Sequence, residues 1–325
     1  MLTRITRPWP TPKTPIRTKG NPVSRRKRGL AIHGIVLLDK PAGISSNRAL
    51  QKVRGIFNAR KAGHTGSLDP FATGMLPICL GEASKTAAYM LEAGKRYRAT
   101  ARLGEATTTG DIEGEVVQTC PVPDIDESTV SATLQQFAGE SMQVPPMYSA
   151  LKHEGKPLYE YARAGIEIER PARPVTIYRL DLLQWQPPLL RFDVHCSKGT
   201  YIRTLAEDIA KAMHSCAYLS ELRRLEAEPF AKHKMVTLDE LQQAGAPEEL
   251  KHYLLAIDAG LPGWPKVCLD HEQHGRFTHG NQFPFSSAKP NTFGRVRVYG
   301  PEGSLLGLAE ITPEGTLKPI KVFNL

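Results

Sequence analysis

Gly63-His64-Thr65-Gly66-Ser67-Leu68-Asp69-Pro70-Phe71-Ala72-Thr73-Gly74 holds three glycines, one proline, one histidine and a single carboxylate. Glycine admits backbone angles closed to other residues and lets a foreign backbone or base come close. Proline fixes its own φ and pushes Asp69 towards an extended conformation. Asp69 is therefore expected on a stiff loop outside any regular element, with a helix-like run after it. Catalytic groups tend to lie on loops held by a rigid scaffold. On composition alone, a plain turn is the commoner reading of Asp-Pro in a glycine-rich stretch.

Upstream, Gly34-Ile35-Val36-Leu37-Leu38 reads as a buried strand and Asp39 to Gly43 as the turn after it. Ser45-Ser46-Asn47 offers N-cap candidates for a helix with Leu50, Val53 and Phe57 at spacings of three and four. Downstream, Glu82 to Leu91 reads as helical. In the next strand pattern Tyr97, Ala99, Ala101 and Leu103 share one face, and Arg96, Arg98, Thr100 and Arg102 the other. The small alanines leave room beside Tyr97, whose ring is either core or the wall of a cavity.

Gly104 to Gly114 is loop-like and rich in hydroxyls, and Asp126 to Phe137 is an amphipathic helix. Residues 144–174 read as an insertion, opening on Val144-Pro145-Pro146, holding a short helix from Tyr159 to Ala164 and closing on Pro171 and Pro174. Strand patterns resume at Val175 to Leu182 and Leu190 to Cys196. The latter leads through Ser197-Lys198-Gly199-Thr200-Tyr201-Ile202-Arg203 into a helix with Leu205, Ile209 and Ala212. Tyr218 to Leu225 reads as helix-like. The whole predicts an α+β fold with a mixed, mainly antiparallel central sheet flanked by helices. There is no dinucleotide fingerprint or P-loop.

At Asp258 to Gly263 the composition turns to that of a linker. Beyond it, short segments at 266–269, 294–299, 305–311 and 320–323 are separated by glycine turns at the spacing of a small β-barrel. The predicted organisation is an arm over residues 1–30, a main domain over 31–258 and a second domain over 263–325.

The net charge of +9 suggests nucleic acid, but residues 1–30 carry nine of the 42 basic residues and none of the 33 acidic ones. The rest of the chain is balanced, so a basic patch there requires spatial segregation. The arm also holds Pro8, Pro10, Pro12, Pro15 and Pro22, and is expected to stay flexible. It either adds counterion-release affinity for RNA or aids solubility. No apolar run reaches the length of a membrane span, and a cytoplasmic address is the default. The five cysteines are scattered and never form a C-x-x-C pair. That argues against a disulfide framework and a cysteine-rich zinc site, and each is read as a small buried hydrophobe.

The 63–74 stretch, Tyr97 with Leu103-Gly104, Thr107-x-Thr109-x-Asp111, Pro146-x-x-Ser149-Ala150-Leu151-Lys152, Gly199-Thr200-Tyr201-Ile202-Arg203 and Leu222-Arg223-Arg224 run in order across roughly residues 32–230. Together they closely resemble the TruB-type tRNA pseudouridine-55 synthases. Ser67 and Phe71 stand where that family more often has Thr and Leu. The C-terminal segment resembles the RNA-binding PUA domain that often follows. The resemblance implies the pseudouridine synthase fold and a uridine isomerase that breaks the N1–C1′ bond, turns the uracil and rejoins it through C5, with no cofactor or metal. The implied partner is the T arm of tRNA, bound by a monomer without a membrane.

The matching positions make Asp69 the catalytic aspartate. They make His64 the residue that fills the place of the flipped base and Tyr97 the one that stacks on it. Arg203 is implied as the ion-pair partner that lowers the Asp69 pKa, Tyr201 as a tyrosine near the base, and Leu222 as an apolar pocket wall. Lys40 has a structural or RNA-contacting role. Two other readings are a non-catalytic tRNA-binding or folding protein and a synthase working within an RNA-guided complex. A glycosidase is disfavoured because no second carboxylate is recognisably paired with Asp69.

Overall fold

The apolar run at the start of the main body forms β1 (Gly34–Lys40), buried almost throughout. The computed structural model describes residues 29–286 and 293–325, so the arm expected over 1–30 lies, up to residue 28, outside the described residues. Ser45 caps α1 (Ser46–Ile56) by accepting from the Arg48 amide, and Ala49, Leu50 and Val53 form the helix's buried face. β2 (Ala62–His64) and β3 (Thr73–Leu80) flank the Asp69 loop, which belongs to no regular element.

The run after the loop is thus a strand, not a helix. Leu76, Ile78 and Leu80 of β3 pack into one core cluster, and Met75 and Cys79 into another. A strand covered on both faces is apolar throughout and loses the alternation that would announce it.

A 3-10 turn (Gly81–Lys85) and α2 (Ala87–Met90) lead to β4 (Lys95–Leu103). A hairpin of β5 (Glu105–Thr107) and β6 (Val116–Thr119) occupies part of the expected loop. It is followed by α3 (Glu127–Gln135), β7 (Gly139–Gln143), the short pair β8 (Lys152–His153) and β9 (Lys156–Pro157), and α4 (Leu158–Arg163). β10 (Arg173–Gln186), β11 (Leu189–Cys196), α5 (Ile202–Ala212), β12 (Ala217–Ala227), α6 (Leu238–Ala244) and α7 (Pro247–Lys251) complete the main body.

The sheet has the order β1-β3-β12-β4-β11-β10-β7, with β2 on β3. Every pairing is antiparallel except β12 with β3, so the sheet is mixed and mainly antiparallel. Side chains of α3 and α5 fill one face over β4 and β11.

Residues 218–225, read as helix-like, lie in β12 at the centre of that sheet. Register shifts between Leu219 and Glu221 and between Arg224 and Glu226 interrupt the period of two. They leave Leu219, Leu222 and Leu225 three apart, a spacing that mimics a helix face.

Beyond residue 263, β13 (Lys266–Cys268), α8 (His271–Thr278), β14 (Phe283–Pro284), β15 (Gly294–Tyr299), β16 (Leu305–Ile311) and β17 (Thr316–Val322) build a second sheet in the order β13-β15-β16-β17-β14. α8 and β14 were absent from the sequence reading. Leu308 and Phe323 pack into the cluster that holds Ile35, Met75 and Phe230 of the main body. Arg295 stacks 5.3 Å from the Tyr89 ring and 5.6 Å from the Trp264 ring, and Arg297 pairs with Asp258 at 2.9 Å.

The cysteines depart from expectation. Cys120 and Cys216 form a disulfide across 96 residues, with Cα atoms 5.8 Å apart, and Cys268 is exposed. Cys79 and Cys196 are the buried hydrophobes anticipated. The pairing follows from tertiary structure: the Cys120 amide donates to the Gly104 carbonyl, and the Gly104 amide to the Cys216 carbonyl.

Candidate active site

A segment without a ladder must find other partners for its buried peptide groups. Arg224 donates through Nη2 to the Gly66 carbonyl at 3.1 Å and through Nη1 to the Ser67 carbonyl at 3.4 Å. The Ser46 hydroxyl accepts from the Leu68 amide at 2.7 Å and donates to the Leu68 carbonyl at 2.9 Å. The Asp69 carbonyl accepts from the Ala72 amide. The Pro70 carbonyl accepts from Lys40 Nζ at 3.1 Å and from the Gly43 amide at 2.9 Å. Every carbonyl from Gly66 to Pro70 therefore has a partner.

Lys40 is 0 % exposed and also donates to the carbonyls of Pro41 and Ile44. Burial pushes its pKa down to about 8, against the opposing pull of Asp69 and Glu113. Its ammonium is thus held among three backbone carbonyls. At Gly74, φ is +102°, and a Cβ would overlap the Arg224 carbonyl. Glycine is what lets β12 close against β3 at the end of the loop.

Arg203 rises from the first turn of α5 into this loop. Its side chain is 4 % exposed; Nε lies 3.0 Å from Asp69 Oδ2, and Nη2 donates to Asp69 Oδ1 at 3.3 Å. The remaining donors reach the Thr109 and Tyr148 carbonyls at 2.6 Å each, and Nη1 lies 3.6 Å from Asp111 Oδ2. Asp111 is itself held by the Thr109 hydroxyl at 2.6 Å and the Glu113 amide at 3.0 Å.

One buried guanidinium is thus shared by two carboxylates. Asp69 keeps 36 % of its side chain exposed at the mouth of the site, whereas Asp111 keeps 5 %. Burial pushes the Asp69 pKa up and Asp111 adds to the push; Arg203 and Lys40 pull it down without reversing it. Arg203 thus acts on Asp69 in the lowering direction expected of it, and desolvation outweighs that pull, so the net shift is upward.

A cleft of about 980 Å³ opens over Asp69. His64, Thr109 and Glu113 line it from the body, and Tyr148, Tyr159 and Arg163 from the 144–174 segment. Arg163 stacks on Tyr159 at 5.4 Å. The cleft thus holds Asp69 gripped from behind by Arg203, with the exposed Glu113 and Glu115 also in its lining, beside aromatic and cationic side chains.

Comparison with known proteins places the chain in a family. The model described as "TruB family pseudouridylate synthase (N terminal domain)" matches residues 54–202. Models for a "tRNA pseudouridylate synthase B C-terminal domain" and "Pseudouridine synthase II TruB, C-terminal" match 203–262 and 265–323. The tRNA pseudouridine synthase B of Mannheimia succiniciproducens is 48 % identical over 303 residues, covering 92 % of this chain and 99 % of the relative. That of Pseudomonas putida is 48 % identical over 305 residues, covering 93 % and 98 %.

The chain belongs to the TruB family of pseudouridylate synthases.

Solved structures share the fold at low identity. One titled "Structure of H/ACA RNP bound to a substrate RNA containing 2'-deoxyuridine" matches with a TM-score of 0.68 and 22 % identity, covering 94 % of this chain and 92 % of that one. A Cbf5-Nop10-Gar1 complex gives 0.66 and 24 %, covering 90 % and 85 %.

In this TruB-family chain, Asp69, His64 and Arg203 meet at one cleft. His64 ends β2 instead of sitting on the loop. Among the described residues its Nδ1 is buried without a partner, and burial, followed by the charge of Arg224, pushes its pKa down. Tyr97 and Leu222 do not line the cleft. They lie in the core cluster with Leu68 and Ala72, which bracket Asp69 in sequence, and Leu222 pairs with Ala99 beside Tyr97. Tyr201 is the N-cap residue of α5, with its backbone held by Gln143.

The sequence reading passed over Ser46 as a helix cap, and named Asp111 and Arg224 only within motifs. A cap and a loop clamp share the same signature until the loop's position in space is known.

Proposed function

We propose that the chain isomerises uridine 55 in the T arm of tRNA to pseudouridine, with Asp69 as the catalytic carboxylate. The observation that carries this reading is the grip of the buried Arg203 on Asp69 at the floor of the cleft. The N1–C1′ bond breaks, the uracil turns, and C5 bonds to C1′; the C5 proton is lost to solvent and N1 takes one up, so the product is an isomer of the substrate. No net electrons move, so the chemistry calls for no redox cofactor. It calls for an ionised carboxylate beside the ribose and base, which Arg203 favours against the upward push of burial.

Flipping the uridine out of the folded arm costs a few kcal/mol. His64, at the cleft wall, takes the vacated place in the stack. The base passes Asp69 to reach Tyr97, where stacking is worth about 1–3 kcal/mol. Ala99 and Ala101 are the small neighbours of Tyr97 on the same face of β4, and Leu222 lies in the same cluster, paired with Ala99. Tyr201 stands near the base. Tyr148, Tyr159 and Arg163 of the 144–174 insertion meet the RNA backbone and bases directly.

The domain from 263 is a PUA-like RNA-binding module carried on the 31–258 synthase domain, and the basic arm adds phosphate affinity. The enzyme acts as a cytoplasmic monomer. T-arm RNA tritiated at C5 of its uridine tests the assignment. Wild type releases tritium; Asp69→Asn binds the RNA and releases none. Full release by the variant would overturn the role of Asp69, whereas binding without release by wild type would make the chain a tRNA-binding protein only.

A further inference from the structure

Arg224 is 1 % exposed, and its guanidinium is spent on three backbone carbonyls: Met75 at 2.6 Å through Nε, then Gly66 and Ser67. Among the described residues no carboxylate lies within ion-pairing distance of it. A buried cation with no counter-charge beside it is costly to keep, and a neutral apolar residue would fill β12 more cheaply. What the guanidinium supplies is a rigid fork spanning the loop and the strand that follows it. In the β12–β4 register Arg224 also lies opposite Tyr97. One side chain therefore sits between the loop that carries the carboxylate and the ring proposed to receive the base.

Ser46 holds the next residue along the same loop. A hydroxyl both donates and accepts, and here it does both to one peptide unit, Leu68, immediately before Asp69. Ser46 is 4 % exposed and sits in the first turn of α1. The loop is thus tied to β12 through residues 66 and 67 and to α1 through residue 68.

We infer that Ser46 and Arg224 are positioning residues, which fix the Asp69 loop so that the rate of the chemical step depends on them and RNA affinity does not. The inference rests on Asp69 being the catalytic carboxylate. Arg224 does not line the cleft; Ser46 does, but it is 4 % exposed and its hydroxyl is committed to Leu68 as both donor and acceptor. Neither therefore has a group to offer RNA. A displacement of about 1 Å at a reacting group costs on the order of 100-fold in rate.

Single-turnover tritium release and filter-binding affinity on the same T-arm RNA test this, with thermal unfolding as the check on folding. Ser46→Ala removes both bonds to Leu68 and is expected to slow release by about 10- to 100-fold with an unchanged Kd. Ser46→Thr keeps the hydroxyl and restores most of the rate. Arg224→Lys keeps the charge without the fork and falls between wild type and Arg224→Met.

Wild-type rates in Ser46→Ala overturn the inference, as does a parallel loss of rate and affinity. If Arg224→Met fails to fold, the Ala/Thr pair at Ser46 still decides. Release by Asp69→Asn sinks the underlying assignment instead, and is read independently of the loop variants.

Discussion

Arg203 and Asp69 meet at 3.0 Å across the boundary between core and cleft, with 4 % of one side chain exposed and 36 % of the other. The cation is anchored in protein and the anion faces solvent. The pair is therefore asymmetric: Arg203 has every donor engaged, while Asp69 has one side free for a ligand.

Replacing Arg203 tests that asymmetry. Arg203→Met leaves Asp69 and Asp111 facing each other without a cation and strips partners from the Thr109 and Tyr148 carbonyls. Loss of about 3–5 kcal/mol of unfolding free energy is expected, the usual result of breaking a buried pair from one side. Denaturant unfolding measures it, and a loss below 1 kcal/mol, on the scale of an exposed pair, would contradict the burial argument.

The pH dependence follows from the raised pKa of Asp69. Turnover needs the ionised form, so the acid limb of the single-turnover profile should lie above the ordinary carboxylate value of 3.8. Arg203 opposes the rise, so Arg203→Lys, with weaker geometry, moves the limb to higher pH. For stability the sign is the reverse of the usual carboxylate case. The folded state holds this proton more tightly than the unfolded chain, so Asp69 costs stability as pH climbs from 3.8 through its folded-state value. A limb at or below 3.8 would show that the ion pair prevails over burial.

Tyr97→Leu separates stacking from docking. The ring is buried behind the loop, so its loss should reduce turnover by about 10-fold or more, in line with 1–3 kcal/mol of base stacking, while RNA affinity changes little. A loss confined to affinity counts against the proposed path of the base.

Removal of residues 1–28 should flatten the dependence of log Kd on log salt without abolishing turnover. Those residues carry nine positive charges and no negative ones, and each phosphate contact contributes roughly 0.9 to the slope on a duplex. An unchanged slope assigns the arm no part in RNA binding.

Much of this architecture can be read from the chain, and the exceptions have physical causes. α1, β4, α3, β10, β11 and α5 follow amphipathic periods, because each has one face in the core and one outside, and β1 is legible instead as an unbroken apolar run buried on both faces. β3 escapes because both its faces are buried, and β12 because two bulges give its leucines a helical spacing. At the site, Asp69, His64 and Arg203 were recognisable as motif residues. Ser46 and Arg224 were not assigned a role, since their partners are backbone carbonyls and carbonyls leave no trace in residue type. Cys120 and Cys216 are likewise joined by topology, with no local signal in sequence.

β12 links the β1–β3 half of the sheet to the half formed by β4, β11, β10 and β7. Asp69 belongs to the first half, between β2 and β3, and Arg203 to the second, on α5. Asp69 and Arg203 are thus carried by separate halves of the sheet, and residues 217–227, the last strand of that sheet in chain order, join the two halves. Nascent chains ending at residue 212 carry both residues of the pair but lack the strand that brings them together.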